Sequence, residues 1–563
     1  MKLLLLFLFL ITFFSDSFAD SNAINKAQSE AVDKIFTDWD NTHSPGSGLG
    51  IFKEGEIIYS RGYGMANLEY DIPNNSQSVF RIGSTSKQFT AASIILLVEK
   101  EKLSLDDTLD KFFPDFPDYA KQITVAHLLH HTSGIRDYLT LSFLKGLQDD
   151  DFFTDKDVMS WLINQSELNF KPGEEFVYSN SGYWLLGQIV NQVAEMSMAD
   201  FAMKEIFKPL GMTQTHFHND HTQIVKNRAS GYAPINETEF QISMTTLDMI
   251  GDGGIFTSID DIKKWDDAYY KSNVLSRDFW RLMTQQGKLN NDEIIDYASG
   301  LFISDYKGLK TVSHGGAFVG FRAELLRFPE QKFSVAIFAN RGDASPSTMA
   351  NMVADVFLSD KYIMDKKPKA NKEVPSKSNQ EDIQYSYEQM VGMYELSPGM
   401  TIKFTILKEK LHAFQSWNNK EYHVVNESKN TYLIDGVDDI KFTFTELKEN
   451  ATEKVVVDQQ GQVSELNRIQ ELDLSSINLD DFVGTFYSSE LDVHYKIVLT
   501  DEILKLKINN NEPDEFVVVN ENALNYQGTL LQFSRENNLI TGFLLDAGRV
   551  KNLKFTKTQS STK

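Results

Sequence analysis

The 563-residue sequence contains no cysteine. This absence excludes disulfide bonds, thiol catalysis, zinc–thiolate sites and a lipid-modified cysteine in one step. The chain is also poor in basic residues, since 55 Lys and Arg stand against 79 Asp and Glu and give a formal net charge of −24. A surface of this sign repels phosphate backbones and anionic lipid headgroups, so we expect no nucleic-acid partner.

Several catalytic signatures are missing as well. There is no Gly-x-Ser-x-Gly elbow, which disfavours an α/β-hydrolase, and there is no glycine-rich phosphate-binding loop. Two groups of histidines lack the His-Glu-x-x-His pattern of a zinc hydrolase and are interpreted as structural or surface residues: His127, His130, His131, His216, His218 and His221. We therefore expect neither a metal nor another cofactor.

The N-terminus carries the one apolar run that approaches membrane length. A charged start precedes Leu3 to Phe14, and Ser17-Phe18-Ala19 supplies small residues for cleavage before Asp20. The run is too short for a comfortable membrane span. We interpret residues 1–19 as a signal peptide. The protein is then expected to be exported, periplasmic or secreted, with no integral membrane segment after cleavage.

The next part of the chain predicts an α+β domain. Residues 49–64 have the pattern of a hairpin with a turn at 53–55, and helical patterns lie on both sides of it. Helices packed on an antiparallel sheet are the expected architecture of residues 20–364. The composition then shifts to lysine, proline and polar residues over 365–384, which we interpret as a linker.

Two weakly similar segments follow the linker. Met390-Val391-Gly392-Met393-Tyr394 matches Phe482-Val483-Gly484-Thr485-Phe486, and an alternating strand follows each segment. The repeat predicts two small antiparallel β-barrel-like domains, at residues 385–474 and 475–557. We expect the region after residue 365 to be separable from the domain that precedes it.

The first chemical signal is a serine followed by a lysine three residues later. Ser84 and Lys87 stand at the start of an apolar run that predicts a buried helix. They would share one face of that helix about one turn apart, where the amine can take the proton of the hydroxyl. Such a pair is common by chance, and its plain interpretation is an N-cap serine followed by a solvated lysine.

Two further motifs change this interpretation. Tyr178-Ser179-Asn180 follows a turn, and His314-Gly315-Gly316-Ala317 precedes two predicted strands, Phe321 to Phe328 and Phe333 to Ala339. With Ser84-Thr85-Ser86-Lys87 they resemble, in order, the three motifs of the serine β-lactamase and penicillin-binding-protein family. The closest branch is the class C, D-aminopeptidase and family-VIII esterase group.

The resemblance extends beyond these motifs. Residues 127–134, in which a helix is expected to end at Gly134, and residues 253–258 are similar to connecting loops of the family. The two C-terminal modules resemble the extra barrels of some D-aminopeptidase relatives. The implied fold is that of a β-lactamase or transpeptidase, followed by two small β domains.

The resemblance implies a serine hydrolase that works through an acyl-enzyme on Ser84. Lys87 and Tyr178 would handle the proton as one coupled unit, and either could be the base. Backbone N–H groups of Ser84 and Ala317 would hold the oxyanion. Asn180 would orient Lys87 or the substrate amide.

The third motif has the strongest bearing on the substrate. Many relatives carry Lys-Thr-Gly there and use the lysine and threonine to bind a substrate carboxylate. In this chain His314, a mostly neutral imidazole, and Gly315 stand in their place. The pair Gly315-Gly316 lets the backbone approach a ligand closely. The resemblance therefore implies four catalytic residues, Ser84, Lys87, Tyr178 and His314, and four substrate-binding residues, Asn180, Gly315, Gly316 and Ala317.

We therefore expect a small-molecule or peptide substrate that is a neutral amide or ester with a free amino end, cleaved by a D-aminopeptidase-like or DD-peptidase-like peptidase or an esterase. A class C-like β-lactamase is the alternative. A penicillin- or wall-binding protein with little turnover is an alternative of another class. The acyl donor and the oligomeric state are left open by the sequence.

Overall fold

The computed structural model describes residues 24–148, 151–236, 238–363, 384–416, 420–435, 437–459, 462–471, 473 and 477–558. The predicted signal peptide and the predicted linker up to residue 383 lie outside these ranges. Within them, no helix combines the length and the apolar character that a bilayer crossing requires.

The N-terminal domain is a mixed α and β structure. Its helices are α1 (Lys26–Ile35), α2 (Lys87–Glu99), α3 (Leu109–Phe112), α4 (Val125–Leu129), α5 (Tyr138–Leu144), α6 (Asp155–Ile163), α7 (Asn180–Ala194), α8 (Met198–Ala202), α9 (Lys208–Leu210), α10 (Ile259–Tyr270), α11 (Arg277–Met283) and α12 (Pro346–Leu358). Its strands are β1 (Ser47–Lys53), β2 (Glu56–Tyr63), β3 (Met65–Asn67), β4 (Ile72–Pro73), β5 (Phe80–Arg81), β6 (His216–Phe217), β7 (Tyr232–Pro234), β8 (Phe240–Ile242), β9 (Ile255–Thr257), β10 (Phe302–Tyr306), β11 (Leu309–Phe318), β12 (Phe321–Phe328) and β13 (Phe333–Ala339).

A six-stranded antiparallel sheet in the order β10-β11-β12-β13-β1-β2 forms the centre of this domain. Alternate residues of its strands face opposite sides, as in β1, where Leu49 and Ile51 pack with α1 and α12. On the other side Gly48 and Gly50 leave room for α10, since a side chain on either would meet Ile259. The sheet is therefore covered on both faces, and the predicted hairpin is confirmed as β1 and β2.

Helix α2 is the buried helix that the sequence predicts. Every residue from Lys87 to Leu97 is buried, and the helix is apolar on all sides apart from its first turn. A 3-10 turn, Gly83–Ser86, precedes it and carries Ser84. The reactive residues thus stand where a short irregular turn becomes a fully enclosed helix.

Two local expectations differ from the structure. The helix expected to end at Gly134 is α4, which ends at Leu129. The positive φ of His131 (57°) and of Gly134 (73°) bends the chain into a loop instead. The third motif does not merely precede strands, because His314 to Ala317 lie within β11 and pair with β12.

The first β domain is a closed eight-stranded barrel that follows a short helix, α13 (Tyr387–Met390). Its strands are β14 (Gly392–Ser397), β15 (Met400–Leu407), β16 (Lys410–Gln415), β17 (Lys420–Ser428), β18 (Thr431–Ile434), β19 (Val437–Lys448), β20 (Ala451–Gln459) and β21 (Gln462–Ile469). Buried aromatic residues, including Tyr394, Phe404 and Phe444, give it a separate apolar core.

The second β domain is a nine-stranded antiparallel sheet in the order β25-β24-β23-β22-β30-β29-β28-β27-β26. Its strands are β22 (Gly484–Ser488), β23 (Val493–Thr500), β24 (Ile503–Ile508), β25 (Asp514–Glu515), β26 (Val517–Asn520), β27 (Ala523–Tyr526), β28 (Thr529–Glu536), β29 (Leu539–Asp546) and β30 (Leu553–Lys557). The edge strands β25 and β26 are separated by Phe516 alone, so the sheet curls into a nearly closed barrel. The predicted fold class is confirmed.

The second β domain packs directly on the N-terminal domain. Buried apolar residues of both belong to one continuous cluster. The hydroxyl of Tyr495 donates to the carbonyl of Leu144 at 2.8 Å. Arg136, whose side chain is 0% exposed, forms an ion pair with Glu490, whose side chain is 10% exposed.

We expect cleavage of the chain between residues 365 and 384 to leave the two fragments associated, because of this shared core and the buried ion pair. Limited proteolysis followed by size-exclusion chromatography in native buffer should give one co-eluting species. Glu490→Ala leaves the charge of Arg136 buried without its partner, at a cost of about 3–5 kcal/mol, and should weaken the association. Glu502→Ala, which removes the same charge from an exposed turn of the same domain, is the matched control and should leave the association unchanged. Elution of a lone, folded N-terminal fragment would support the separability expected from the sequence.

Candidate active site

Ser84 lies in the 3-10 turn between β5 and α2, and it is partly exposed while its neighbours are buried. Gly83, just before it, has φ +50°, a conformation that glycine adopts without strain. A side chain on Gly83 would also begin 2.9 Å from the backbone nitrogen of Ala317. Glycine therefore permits the close approach of this turn to β11.

Lys87 is fully buried, and its amine contacts three neutral oxygen atoms from separate segments. Nζ lies 2.8 Å from Oδ1 of Asn180, 2.6 Å from the carbonyl oxygen of Asp252 and 3.2 Å from Oγ of Ser84. The ammonium form has three protons and can donate to all three. The neutral amine has two protons, and the two shortest contacts are to acceptors that cannot donate. Its lone pair then faces Ser84.

The environment of Lys87 also favours the neutral amine. Burial lowers the pKa of Lys87 to about 8, against the opposing effect of the Asp252 and Asp137 carboxylates, while the cation of Arg549 lowers it further. A lysine in water would be protonated almost completely at pH 7. In this site an appreciable fraction of the protein holds a basic amine next to the serine.

Tyr178 completes the group around Ser84. The amine of Lys87 lies 4.8 Å from the centre of the Tyr178 ring. Burial raises the pKa of Tyr178, and the nearby Ser84 hydroxyl lowers it by less. Among the described residues the phenol oxygen is buried without a hydrogen-bond partner, although the Ser84 hydroxyl lies close to it. Tyr178 is a neutral phenol poised beside the nucleophile.

The ring of His131 packs against the ring of Tyr178. The two ring centres are 4.1 Å apart, and Nδ1 of His131 accepts a hydrogen bond from the backbone nitrogen of Ser179 at 3.1 Å. Burial, assisted by the charge of Lys87, holds the pKa of His131 well below its usual value. His131 is therefore a neutral, structural histidine, and it packs against Tyr178 inside the site.

Asn180 is the first residue of α7, and Asp137 holds it in place. The backbone nitrogen of Asn180 donates to Oδ2 of Asp137 at 2.6 Å, and the other oxygen of Asp137 caps α5 by accepting from the nitrogen of Thr140 at 3.0 Å. One carboxylate therefore orients two helices. Oδ1 of Asn180 accepts a hydrogen bond from Lys87 at 2.8 Å, and its expected role, to orient Lys87 or the substrate amide, stays a prediction.

His314 is buried within the site and has a hydrogen-bond partner for each ring nitrogen. Nδ1 lies 2.6 Å from the carbonyl oxygen of Gly315, so it carries the proton and donates. Nε2 then accepts from the hydroxyl of Tyr297 at 3.0 Å. Burial lowers the pKa of His314 to about 3, with a further contribution from Lys87. The imidazole is neutral and both of its nitrogens are engaged, so its geometry is that of a residue that positions the aromatic groups beside Tyr178.

The glycines of the third motif have different surroundings. A side chain on Gly316 would begin 1.9 Å from the carbonyl oxygen of Ile82, so only glycine lets β11 meet the turn that carries Ser84. A side chain on Gly315 would begin 3.0 Å from a carboxyl oxygen of Glu324. That carboxyl bonds Ser347, and burial raises its pKa to about 7. The surroundings of Gly315 thus contain an acid, where a carboxylate-binding site would need a cation.

Two contributors escaped the sequence analysis. The first is the carbonyl oxygen of Asp252, which binds Lys87 from the turn between Gly251 (φ +114°) and Gly254 (φ +91°). Because every residue has a backbone carbonyl, the sequence has no signal for this contact. The guanidinium of Arg549, from the second β domain, lies 4.9 Å above the centre of the Tyr178 ring.

Comparison with known proteins places this sequence in a family. Residues 31–356 match the Beta-lactamase family. Penicillin-binding protein 4* of Bacillus subtilis is 29% identical over 376 residues, which cover 64% of this chain and 81% of that protein. The D-aminopeptidase of Gluconobacter oxydans is 26% identical over 310 residues, or 55% of this chain and 58% of that protein.

Solved structures give the same result. The octameric penicillin-binding protein homologue from Pyrococcus abyssi is 25% identical, with a TM-score of 0.56 over 78% of this chain and 99% of that chain. The D-amino acid amidase from Ochrobactrum anthropi SV3 shares the fold at 21% identity, with a TM-score of 0.51 over 60% of this chain and 99% of that chain. Since the family match spans more than half of the sequence and contains all three motifs, the chain belongs to the Beta-lactamase family of serine hydrolases.

Proposed function

We propose that this protein is an exported serine peptidase or amidase that cleaves small amides and peptides of D-amino acids through an acyl-enzyme on Ser84, with ester cleavage as a further reaction of the same site. The observation that carries the proposal is the arrangement of Lys87, whose two protons are held by Asn180 and Asp252 while its lone pair faces Ser84. The D-aminopeptidase and D-amino acid amidase among the similar proteins support the choice of substrate.

Acylation begins with neutral Lys87. Its amine takes the hydroxyl proton as Ser84 Oγ attacks the carbonyl carbon, and the carbonyl oxygen becomes an oxyanion. The N–H groups of Ser84 and Ala317 are assigned to that oxyanion, since the turn and β11 are in contact at this point.

Collapse of this intermediate needs a proton on the leaving nitrogen. We assign that proton to Tyr178, whose raised pKa keeps it in the phenol form and whose hydroxyl lies by Ser84. The step leaves Lys87 as ammonium and Tyr178 as phenolate, and the return of one proton restores both. Water then attacks the acyl-enzyme by the reverse sequence and releases the acid.

A substrate panel tests the proposed function. D-Alanine p-nitroanilide and an N-acyl-D-Ala-D-Ala dipeptide should be hydrolysed, and a fluorophosphonate should add its mass to the peptide that contains Ser84. Ser84→Ala should abolish both results, because it removes the nucleophile. Ser179→Ala is the matched control, since its hydroxyl is buried without a hydrogen-bond partner among the described residues.

Two outcomes of this panel would contradict the proposal. Faster hydrolysis of a chromogenic cephalosporin than of any amide or ester would identify a β-lactamase. Stoichiometric acylation of Ser84 without turnover of any substrate would identify a penicillin-binding protein.

The pH dependence of kcat/KM should follow the deprotonation of Lys87. Because the active form is the neutral amine and its pKa is lowered to about 8, kcat/KM should rise about tenfold per pH unit below pH 8 and level off above it. Steady-state measurements from pH 5.5 to 9.5 on D-alanine p-nitroanilide would reveal this profile. A rate that falls as the pH rises through 8 would place the base elsewhere.

Tyr178→Phe should affect amides far more than activated esters. An amide nitrogen cannot leave without a proton, so we expect a loss in kcat of about 10²- to 10⁴-fold on the anilide. A p-nitrophenolate leaves as a stable anion, so a p-nitrophenyl ester should lose much less. Equal losses on both substrates would assign Tyr178 to the attack step or to a structural role.

A further inference from the structure

The loop that joins β29 to β30 in the second β domain reaches the active site of the N-terminal domain. The carbonyl oxygen of Arg549 accepts hydrogen bonds from the backbone nitrogen of Asp137 at 3.2 Å and from Nδ2 of Asn169 at 2.8 Å. Two residues later the nitrogen of Lys551 donates to Oδ1 of Asn169 at 2.7 Å. The loop backbone is therefore fixed on residues of the N-terminal domain.

Arg136 of the N-terminal domain binds the same loop through hydrogen bonds. Its guanidinium donates to the carbonyl oxygen of Lys551 through Nε at 3.1 Å and through a terminal nitrogen at 2.8 Å. The ion pair with Glu490 compensates the charge of Arg136 within the interface. A charged, fully buried residue holds a loop of another domain only where its partners are well placed, so the position of the loop is specified rather than incidental.

The side chain of Arg549 contrasts with its fixed backbone. The residue is exposed, and its guanidinium lies over the ring of Tyr178. Across the described ranges the guanidinium has neither an ion pair nor a hydrogen bond, although the protein has an excess of acidic residues. An arginine fork at the rim of a site, on a fixed backbone and with its donors unused, is suited to a planar anion.

We propose that Arg549 binds a carboxylate on the leaving group of the substrate, so that the preferred substrates are peptides or esters whose leaving group bears a free carboxylate. This inference rests on the proposed function. There Tyr178 protonates the leaving nitrogen, which places the leaving group beside the ring that Arg549 covers. In a leaving amino acid the carboxylate is separated from that nitrogen by the α-carbon alone, within reach of the guanidinium.

This proposal revises the substrate expected from the third motif alone. With a neutral His314 and an acid beside Gly315, the third motif itself carries no cation for a carboxylate. Arg549 supplies a cation from a different domain and on the side of Tyr178. The expected preference for neutral substrates with a free amino end then becomes a preference for an anionic leaving group.

Arg549 also acts on Lys87, and the test must separate this effect from carboxylate binding. Its charge contributes to the lowered pKa of Lys87, so loss of that charge favours the protonated base and slows every substrate. That effect would move the pH profile to higher pH and would be equal for anionic and neutral leaving groups. Carboxylate binding would instead change the ratio between the two.

The test uses two matched pairs of substrates on the full-length protein. The first pair is N-acetyl-D-Ala-D-Ala and its C-terminal amide. The second is an N-acetyl-D-alanine ester of 3-hydroxybenzoic acid and the corresponding ester of 3-hydroxybenzamide. In each pair the unmodified protein should favour the anionic member. Arg549→Gln should lower the ratio of kcat/KM values about 10- to 100-fold, chiefly through KM, because one charge-assisted contact is lost.

Lys554→Gln is the matched control, since it removes the same charge from an exposed position of β30 in the same domain. It should leave both ratios unchanged. If the anionic-to-neutral ratio of kcat/KM is the same for the unmodified protein and for Arg549→Gln, with turnover retained, this inference is overturned and the proposed function stands. If Arg549→Gln lowers kcat/KM equally for both members of a pair and shifts the pH profile, the inference is likewise overturned and the proposed function stands. No turnover of any member by the unmodified protein would overturn this inference, and the proposed function as well if D-alanine p-nitroanilide is also left intact.

Discussion

The burial of one primary amine is the constraint on which the site depends. A lysine side chain in the interior must find acceptors for all of its protons, since a buried charged donor left unpaired costs more than the roughly 1–3 kcal/mol of a neutral one. Lys87 finds them in the first residue of α7, in a glycine turn and in the nucleophile itself. Two helices and a loop are therefore assembled around a single nitrogen. The same burial lowers the pKa of the Lys87 amine.

The sequence was a good guide where the relevant signal is local. The spacing of Ser84 and Lys87, the hairpin and the two strands after the third motif all follow from periodicity and turn residues over short windows. The limits of α4 could not be predicted in the same way. They depend on a positive φ at His131, which tertiary contacts hold: its carbonyl oxygen and its Nδ1 accept hydrogen bonds from the backbone nitrogens of Val177 and Ser179.

Other features are invisible in a sequence because they are made by distant partners. The state of His314 depends on which oxygen faces each ring nitrogen, and Tyr297 and Gly315 decide that only in the folded chain. The carbonyl of Asp252 has no sequence signature at all. Arg549 follows the nucleophile by hundreds of residues, in a module whose pattern predicts a sheet but does not predict the surface on which that sheet docks.

The position of the Arg549 loop also has a consequence for biosynthesis. The loop is held between β29 and β30, and β30 pairs with both β29 and β22, the first strand of its sheet. The sheet therefore cannot close until residues 553–557 have emerged from the ribosome. A nascent polypeptide that stops before β30 lacks the closed sheet that holds the loop, and with it the guanidinium over the Tyr178 ring. The site reaches its final form only when translation has passed the last strand.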